Sequence, residues 1–509
     1  IRTLESPPRS SSIGMLLWIG FALRIVIAPL GLSFPNDMGL FRYWAQEGAK
    51  DLIHIYSNAS FLDYPPFYIY VLSIIGTIAR ILGLSGDESL YVLLLKLPSI
   101  LADLATAYLL YKLAVKRLPG SWPLAVAGLY IFNPAVVLDT AIWGQVDSFL
   151  MMLLAAGFYL LDADRPELCA FPFAAAVLTK PQGLILMPVV LFELIKRKDI
   201  KLLLKTAAYG VGAIVLLAMP FAIVEGPMWL LDLYLSTTGN YTYASLNAFN
   251  FFAMLGANLK QDSETFVLLS YKVWGYAFIV LTVLYTAIIY IRGRGRHLAY
   301  LGGLLLSLGV FVLSVRMHER YMFPAMFFLL ALFVMTRDKR ALALYGVASF
   351  TSFTNVYAVL EKMLRVGDGH LYMNDIAIRI IVHVFSVINV ILLIYAVAWA
   401  WRIAVPERIN KAHLIPEKGK AGRDEDHRPE SADHKAGLNS AGVSSARPRV
   451  RAGRTDVIIM AVMTAVYLVI AFINLGGFEV PQTEWMAEKV TEGFIIELPR
   501  ETYVKRLSY

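Results

Sequence analysis

A polar stretch from residue 34 to residue 66 interrupts an apolar first half of the chain and contains two aspartates, Asp37 and Asp63. The side chains that follow Asp37 fall on opposite sides of a helix, with Leu40, Phe41 and Trp44 on one side and Arg42, Gln46 and Glu47 on the other. A carboxylate kept at a membrane surface usually has a function, and general-base catalysis is one that it can perform. We therefore predict that this stretch forms an amphipathic surface helix and that it carries a catalytic base.

Both aspartates also have structural interpretations. Asp37 follows Pro35 and Asn36 at the predicted start of a helix, where an aspartate can serve as an N-cap, and the two roles are compatible. The segment Asp63-Tyr64-Pro65-Pro66 fits a turn that begins the next helix equally well.

Three further segments place polar side chains at the ends of apolar runs: Trp143-Gly144-Gln145-Val146-Asp147, Lys180-Pro181-Gln182 and Arg316-Met317-His318-Glu319-Arg320. The cations of the third suit a phosphate, because guanidinium groups bind phosphate oxygens through paired, charge-assisted hydrogen bonds. The structural alternatives are an interfacial tryptophan, a lysine that reaches the membrane surface, and a salt-bridge network around Glu319. The candidate substrate-binding residues are Asp63, Tyr64, Gln145, Asp147, Lys180, Gln182, Asn247, Asn250, Arg316, His318, Glu319 and Arg320.

The composition indicates which elements must position these residues. The chain has 509 residues and is 58% hydrophobic, above the range of soluble domains, and apolar runs long enough to cross a bilayer recur along it. Its net charge of +8 lies in short basic clusters between those runs, which argues against nucleic-acid binding. One cysteine excludes an internal disulfide and a cysteine-based metal site. We predict an all-α polytopic membrane protein with about 13 transmembrane helices.

The basic clusters also predict the orientation. A cytoplasmic N-terminus puts residues 32–66 outside, and the cytoplasmic loops at 112–120 and 196–200 then require that 67–84 is interfacial or re-entrant. Asp139 and the candidate residues then lie at the outer ends of spans or in outer loops, which predicts a polar chamber that opens outward. Arg316 and Arg320 are outside as well, although Arg and Lys usually accumulate in cytoplasmic loops.

The sequence divides into a membrane region and a charged C-terminal part. We predict a transmembrane catalytic domain over 1–402, a disordered basic cytoplasmic linker over 403–455, a last transmembrane helix at 456–475, and an external tail over 476–509 that starts a β-rich domain. Arg24, Lys96 and Asp103 lie within apolar runs and are interpreted as partners in structural ion pairs. Asp162-Ala163-Asp164 is interpreted as a solvated turn.

The order of these motifs resembles that of GT-C glycosyltransferases. The chain is most similar to the prokaryotic relatives of GPI mannosyltransferases, and more remotely to the dolichyl-phosphate-glucose-dependent glucosyltransferases. The resemblance covers roughly residues 10–400. It rests on Asp37 with the helix that follows, Asp63-Tyr64-Pro65-Pro66, Trp143-Gly144-Gln145-Val146-Asp147, Thr179-Lys180-Pro181-Gln182, Asn247-Ala248-Phe249-Asn250 and His318-Glu319-Arg320-Tyr321.

The resemblance implies an inverting transfer of a hexose, with mannose favoured, from a polyprenyl-phosphate donor to a hydroxyl of a lipid, glycan or protein acceptor. It makes Asp37 the general base and matches the phosphate-binding cations to Lys180, Arg316, His318 and Arg320. It implies a multi-pass protein of a prokaryotic plasma membrane with an outward-facing active site. No cofactor is implied, although a divalent cation is compatible with the carboxylates. The alternative from a different class is a secondary transporter or a lipid or oligosaccharide translocator.

Overall fold

The structure is a computed structural model that describes residues 10–405 apart from 87 and 240, together with the single residue 458. The predicted linker from residue 406 onward and the predicted tail at 476–509 lie outside the described residues. The predicted last transmembrane helix at 456–475 also lies outside them, except for residue 458.

Helices make up nearly all of the regular structure in the described residues. The first half contains α1 (Ser10–Ile27), α2 (Pro35–Lys50), α3 (Ile55–Asn58), α4 (Pro66–Ile81), α5 (Ser89–Val115), α6 (Trp122–Ile131), α7 (Pro134–Val137), a π-helix (Leu138–Trp143), α8 (Asp147–Asp162), α9 (Pro166–Val177), a 3₁₀ helix (Pro181–Leu186), α10 (Met187–Arg197), α11 (Ile200–Glu225) and α12 (Trp229–Gly239). The second half contains α13 (Phe251–Met254), strands β1 (Thr265–Phe266) and β2 (Leu269–Ser270), α14 (Tyr271–Arg292), α15 (His297–Leu313), α16 (Phe323–Thr336), α17 (Lys339–Val366) and α18 (Ile376–Ala404).

The helical, polytopic character predicted from the composition is confirmed. In the described part of the chain, five helices are long and apolar enough to cross a membrane, and a bent pair would add a sixth. The apolar helices α15 and α16 are buried along most of their length and lie in the largest hydrophobic cluster. The number of about 13 transmembrane helices is not confirmed. Outside the helices, β1 and β2 form a short antiparallel hairpin directly before α14, which begins at Tyr271.

The apolar segment from Trp122 to Trp143 is a bent pair of helices. The chain bends by 41° between Ile131 and Pro134. Asn133 caps the second helix, its Oδ1 accepting a hydrogen bond of 2.8 Å from the Ala135 amide. Proline at the first helical position suits a new start but has no N–H with which to continue the preceding helix. The bend carries the chain through the π-helix to Trp143.

The amphipathic helix predicted after Asp37 is α2. Its buried face consists of Met38, Phe41, Trp44, Ala45 and Gly48, and it packs against α4. α4 has 16 residues, which at about 1.5 Å per residue is shorter than the hydrocarbon layer of about 30 Å. That 67–84 does not cross the membrane stays a prediction.

The ion pair expected among the buried charges is confirmed for two of the three residues. Arg24 Nε lies 2.8 Å from Asp103 Oδ2, and Thr140 and Ser148 also donate to this carboxylate. The expectation is wrong for Lys96, which bonds backbone carbonyls instead of a carboxylate.

The turn at 162–164 is more than a solvated loop. Asp162 is buried and pairs with Arg117 at 2.6 Å, whereas Asp164 is exposed and pairs with Arg197 at 2.6 Å. These ion pairs connect the end of α8 to α5 and α10, so the solvated interpretation is wrong for Asp162.

Candidate active site

Asp37 is held by residues from a distant part of the chain. Its Oδ2 accepts a hydrogen bond of 2.7 Å from Trp143 Nε1 and a second one from Gln145 Nε2. Its other oxygen, Oδ1, accepts no hydrogen bond from the residues that the structure describes. The carboxylate is therefore fixed in orientation by one oxygen while the other remains available.

The start of α2 is fixed against the same tryptophan. The rings of Phe34 and Trp143 stack with their centroids 4.3 Å apart, and the Phe34 amide donates to the Trp143 carbonyl at 3.3 Å. Phe34 is the N-cap residue and Pro35 occupies the first turn, so the interpretation of Asp37 as an N-cap is wrong. Asp37 lies in the first turn of α2, where the helix dipole favours a negative charge.

Two cations and two further carboxylates continue the network from Gln145. Lys180 Nζ donates to Gln145 Oε1 at 3.4 Å and to Asp147 Oδ1 at 2.6 Å. Arg320 Nε lies 3.5 Å from Asp147 Oδ2, and the same guanidinium bonds Glu319. The structure thus brings five of the predicted residues into one network with Asp37.

Aromatic rings orient both cations. The Arg320 guanidinium lies over the rings of Trp143 and Tyr321, 5.4 Å and 5.9 Å from their centroids. Lys180 Nζ lies 5.7 Å from the centroid of the Tyr64 ring. Cation–π contacts of this kind are strongest where water is excluded, so they restrict the side chains of both cations.

A partly open cavity adjoins these charges. Gln182, Asp147 and Arg320 line it together with apolar side chains, namely Leu150, Leu154, Ile185, Leu186, Val310, Phe311, Met317, Phe323 and Pro324. Within the described residues, Gln182 Oε1 is buried without a hydrogen-bond partner, and Asp147 Oδ2 and Arg320 Nε are buried with only their mutual ion pair at 3.5 Å. Buried polar atoms are normally satisfied, so this cavity is suited to a ligand that is both polar and apolar.

Asp63 and Asp139 are two further carboxyl groups in this part of the molecule, and Asp139 is almost completely buried. Burial raises the pKa of Asp63 to about 6, and the neighbouring charges of Lys180 and Asp37 lower and raise it, respectively. Among the described residues, neither Asp63 Oδ1 nor either carboxylate oxygen of Asp139 has a hydrogen-bond partner, although all three atoms are buried. An anionic ligand therefore meets a site in which the ionisation of Asp63 affects the local charge.

His318 does not fit its expected role as a cation. Burial, together with the charges of Arg320 and Lys180, holds the pKa of His318 well below its ordinary value. Its ring packs between Tyr241 and Tyr321, with centroid distances of 4.9 Å and 5.0 Å. The imidazole is neutral at physiological pH, so it can donate or accept a hydrogen bond but contributes no charge.

Three predicted residues hold loops together outside this network. Arg316 pairs with Asp262 at 2.6 Å, and Asn250 caps α13. Asn247 bonds the backbone of the 369–371 loop, donating to the Gly369 carbonyl at 3.2 Å and accepting from the Leu371 amide at 2.8 Å. These contacts give the three side chains structural roles, and their part in substrate binding stays a prediction.

Trp143 was not among the candidates, although its motif was. The sequence signal was the Gln145 and Asp147 beside it, which an interfacial anchor does not need.

As for metals, within the described residues no group of three or more His, Cys, Asp or Glu side chains is arranged to hold an ion.

Two comparisons with known proteins bear on this site. Residues 61–315, half of the chain, match the model of glycosyltransferase family 87. This range includes Asp63, Gln145 and Lys180 but neither Asp37 nor Arg320. A dolichyl pyrophosphate Glc1Man9GlcNAc2 alpha-1,3-glucosyltransferase of Arabidopsis thaliana is 25% identical over 198 residues, which are 36% of this chain and 38% of that protein.

The chain thus spans well under half of the length of that curated relative. The family match confirms the glycosyltransferase resemblance predicted from the motifs, and the chain belongs to glycosyltransferase family 87.

Proposed function

We propose that this protein is an inverting glycosyltransferase that moves a hexose from a polyprenyl-phosphate donor to an acceptor hydroxyl on the extracytoplasmic side of the membrane. The observation that supports the proposal is the hydrogen bonding of the Asp37 carboxylate. One carboxylate oxygen is held by Trp143 and Gln145, and the other is available beside a network that contains two cations.

Asp37 Oδ1 acts as the general base. It takes the proton of the acceptor hydroxyl while the acceptor oxygen bonds to the anomeric carbon, and the bond from that carbon to the phosphate oxygen breaks. The electron pair leaves with the polyprenyl phosphate. Because a phosphate leaving group needs no protonation, one carboxylate suffices, in contrast to the acid and base pair of glycosidases. Attack from the face opposite the phosphate inverts the anomeric carbon.

Arg320 and Lys180 hold the phosphate. Both are nearly buried and paired with carboxylates, so each is an oriented charge in a site that largely excludes water. Such preorganised charges stabilise a developing anion without a cost of reorganisation during the reaction. Arg320 also lines the cavity.

The cavity accepts the first part of the polyprenyl chain. Its apolar walls come from α8, the 3₁₀ helix, α15 and α16, and its polar lining residues are Asp147, Ser307, Gln182 and Arg320. Burial of each CH₂ group of a prenyl chain contributes about 0.8 kcal/mol. A polar end next to an apolar wall matches a lipid whose phosphate separates a sugar from a hydrocarbon.

The identity of the sugar is part of the proposal. The motif resemblance favours mannose, while the Arabidopsis relative is named for glucosyl transfer. Purified protein should be incubated with polyprenyl-phosphate-mannose or polyprenyl-phosphate-glucose and with lipid, glycan and peptide acceptors. Release of polyprenyl phosphate that depends on acceptor supports the proposal. Uptake of solute into proteoliposomes without any release would support the transporter instead.

Asp37→Asn tests the base. The carboxamide keeps the shape and loses the basicity, so turnover should fall by about 10²–10⁴ while donor binding is kept. Asp51→Asn is the matched control, because Asp51 ends the same helix in an exposed pair with His54. Turnover of Asp37→Asn within a few-fold of wild type would place the base elsewhere, with Asp63 and Asp147 as the next candidates.

Cysteine labelling tests the side of the membrane. The single Cys169 is buried and is replaced first, after which cysteines are introduced at the exposed Lys50 and Lys116. A membrane-impermeant maleimide added from outside should label position 50 and not position 116. Labelling of position 116 from outside would overturn the proposed orientation.

A further inference from the structure

Lys96 is a buried cation that the proposed mechanism does not use. It lies in α5 with 1% of its surface exposed. Its Nζ donates to the carbonyls of Ala28, Ala141 and Ile142 at 2.9, 3.0 and 2.9 Å. An ammonium group has three donors, so these three bonds satisfy it completely.

The three carbonyls belong to the ends of two helices. Ala28 directly follows α1, and Ala141 and Ile142 lie in the last turn of the π-helix. Carbonyls in the last turn of a helix lack partners within it, and the negative end of the helix dipole favours a cation there. Lys96 therefore ties the end of the π-helix to α1 and α5.

The turn that follows the π-helix is packed directly against Lys96. Gly144 has φ +95°, and a Cβ at this position would lie 2.5 Å from Met38 Sδ and 3.1 Å from Lys96 Cε. Met38 follows Asp37 in α2. The turn is thus fixed between Lys96 on one side and the start of α2 on the other, and the residues before and after Gly144 are the two that bond Asp37.

We propose that Lys96 is a positioning residue for the catalytic base, acting through the backbone of residues 141 and 142 on Trp143 and Gln145. This rests on the proposed function of Asp37. Lys96 bonds only backbone carbonyls in the contacts described above, and the donors to Asp37 are Trp143 and Gln145. Its ammonium fixes the turn, the turn fixes the two donors, and the donors set the direction of Asp37 Oδ1.

The experiment compares Lys96→Met with Lys196→Met. Lys196 is the matched control, because it is also buried and also donates to backbone carbonyls near a helix end, those of Tyr290 and Gly293 at the end of α14. Both variants should lose thermal stability. Lys96→Met alone should lose about 100-fold in kcat at an almost unchanged KM for the donor, since small displacements of a catalytic group have effects of that size.

A second measurement does not depend on activity. In protein labelled with 5-fluorotryptophan, the fluorine signal of Trp143 is assigned with Trp143→Phe. That signal should shift in Lys96→Met and stay in place in Lys196→Met. If Lys96→Met does not fold, Lys96→Gln, which keeps an amide donor, is measured in the same way.

The outcomes separate this inference from the proposed function. Asp37→Asn with normal turnover would overturn the base assignment, whatever Lys96 does. An inactive Asp37→Asn together with wild-type kcat in Lys96→Met would overturn the role of Lys96 alone. An unchanged Trp143 signal in Lys96→Met, or equal losses of kcat in the two lysine variants, would also overturn it.

Discussion

Trp143 Nε1 lies 2.7 Å from Oδ2 of Asp37, although 106 residues separate the two in the sequence. The first turn of α2 and the end of the π-helix therefore form one unit. A carboxylate on an amphipathic helix alone could rotate freely. The indole donor, the Gln145 amide and the stacked ring of Phe34 restrict it to one orientation.

Trp143→Phe tests the contribution of the indole donor. Phenylalanine keeps a ring for Phe34 and Arg320 but removes the N–H. A hydrogen bond to a charged group contributes about 1.5–3 kcal/mol, so kcat should fall about 10- to 100-fold. Trp399→Phe is the control, because its indole bonds the carboxylate of Asp338 at 2.8 Å in another part of the protein. Equal kcat values in the two variants would contradict the prediction.

Arg320→Lys tests the phosphate contact. Lysine keeps the charge but loses the planar fork, so kcat/KM for the donor should fall by about one to two decades, partly in kcat. Arg316→Lys is the comparison, because Arg316 pairs with Asp262 outside the network and its change should lower the melting temperature instead. A lower melting temperature with unchanged kcat/KM in Arg320→Lys would assign Arg320 to a structural pair with Glu319.

The raised pKa of Asp63 predicts that the binding of the donor depends on pH. Its pKa is raised from 3.8 to about 6, so it holds a proton below pH 6 and is an anion above it. The added negative charge repels the donor phosphate, and KM for the donor should rise as the pH increases through 6. Asp63→Asn should remove that rise, which steady-state kinetics between pH 5 and pH 8 would detect.

The same shift affects stability with a defined sign. Between pH 3.8 and about 6 the folded protein binds the Asp63 proton more strongly than the unfolded chain does. The contribution of Asp63 to the free energy of unfolding therefore falls as the pH rises through this window. The melting temperature of Asp63→Asn relative to wild type should increase over the same range. A difference that is independent of pH would contradict the raised pKa.

Gly76→Ala tests the packing that places α2. A Cβ at Gly76 in α4 would lie 1.8 Å from the carbonyl oxygen of Ala45 in α2, so the two helices must separate. Overpacking of this kind costs about 1–3 kcal/mol, and the displaced α2 carries Asp37, so activity should fall with the melting temperature. Gly39→Ala is the control, because nothing lies within 4 Å of its Cβ and alanine favours the helix.

The sequence by itself determined the class of protein and the composition of the site. Apolar runs of bilayer length determined a helical membrane protein, because a backbone in hydrocarbon must satisfy its own hydrogen bonds. Polar side chains at the ends of those runs marked Asp37, Gln145, Lys180 and Arg320, since charges near hydrocarbon are costly without a partner. The helical spacing of the apolar residues after Asp37 predicted α2 and its buried face.

Only the tertiary structure decided which of these residues meet. Arg316 and Arg320 are four residues apart and were equivalent as candidates, yet one pairs with Asp262 and the other with Asp147 and Glu319. From the sequence, Trp143 fits an interfacial anchor, but in the structure its indole donates to Asp37. Lys96 fits an ion pair, but in the structure it donates to three backbone carbonyls. Hydrogen bonds depend on distances and angles between helices that are remote in sequence, and periodicity within one helix carries no information about them.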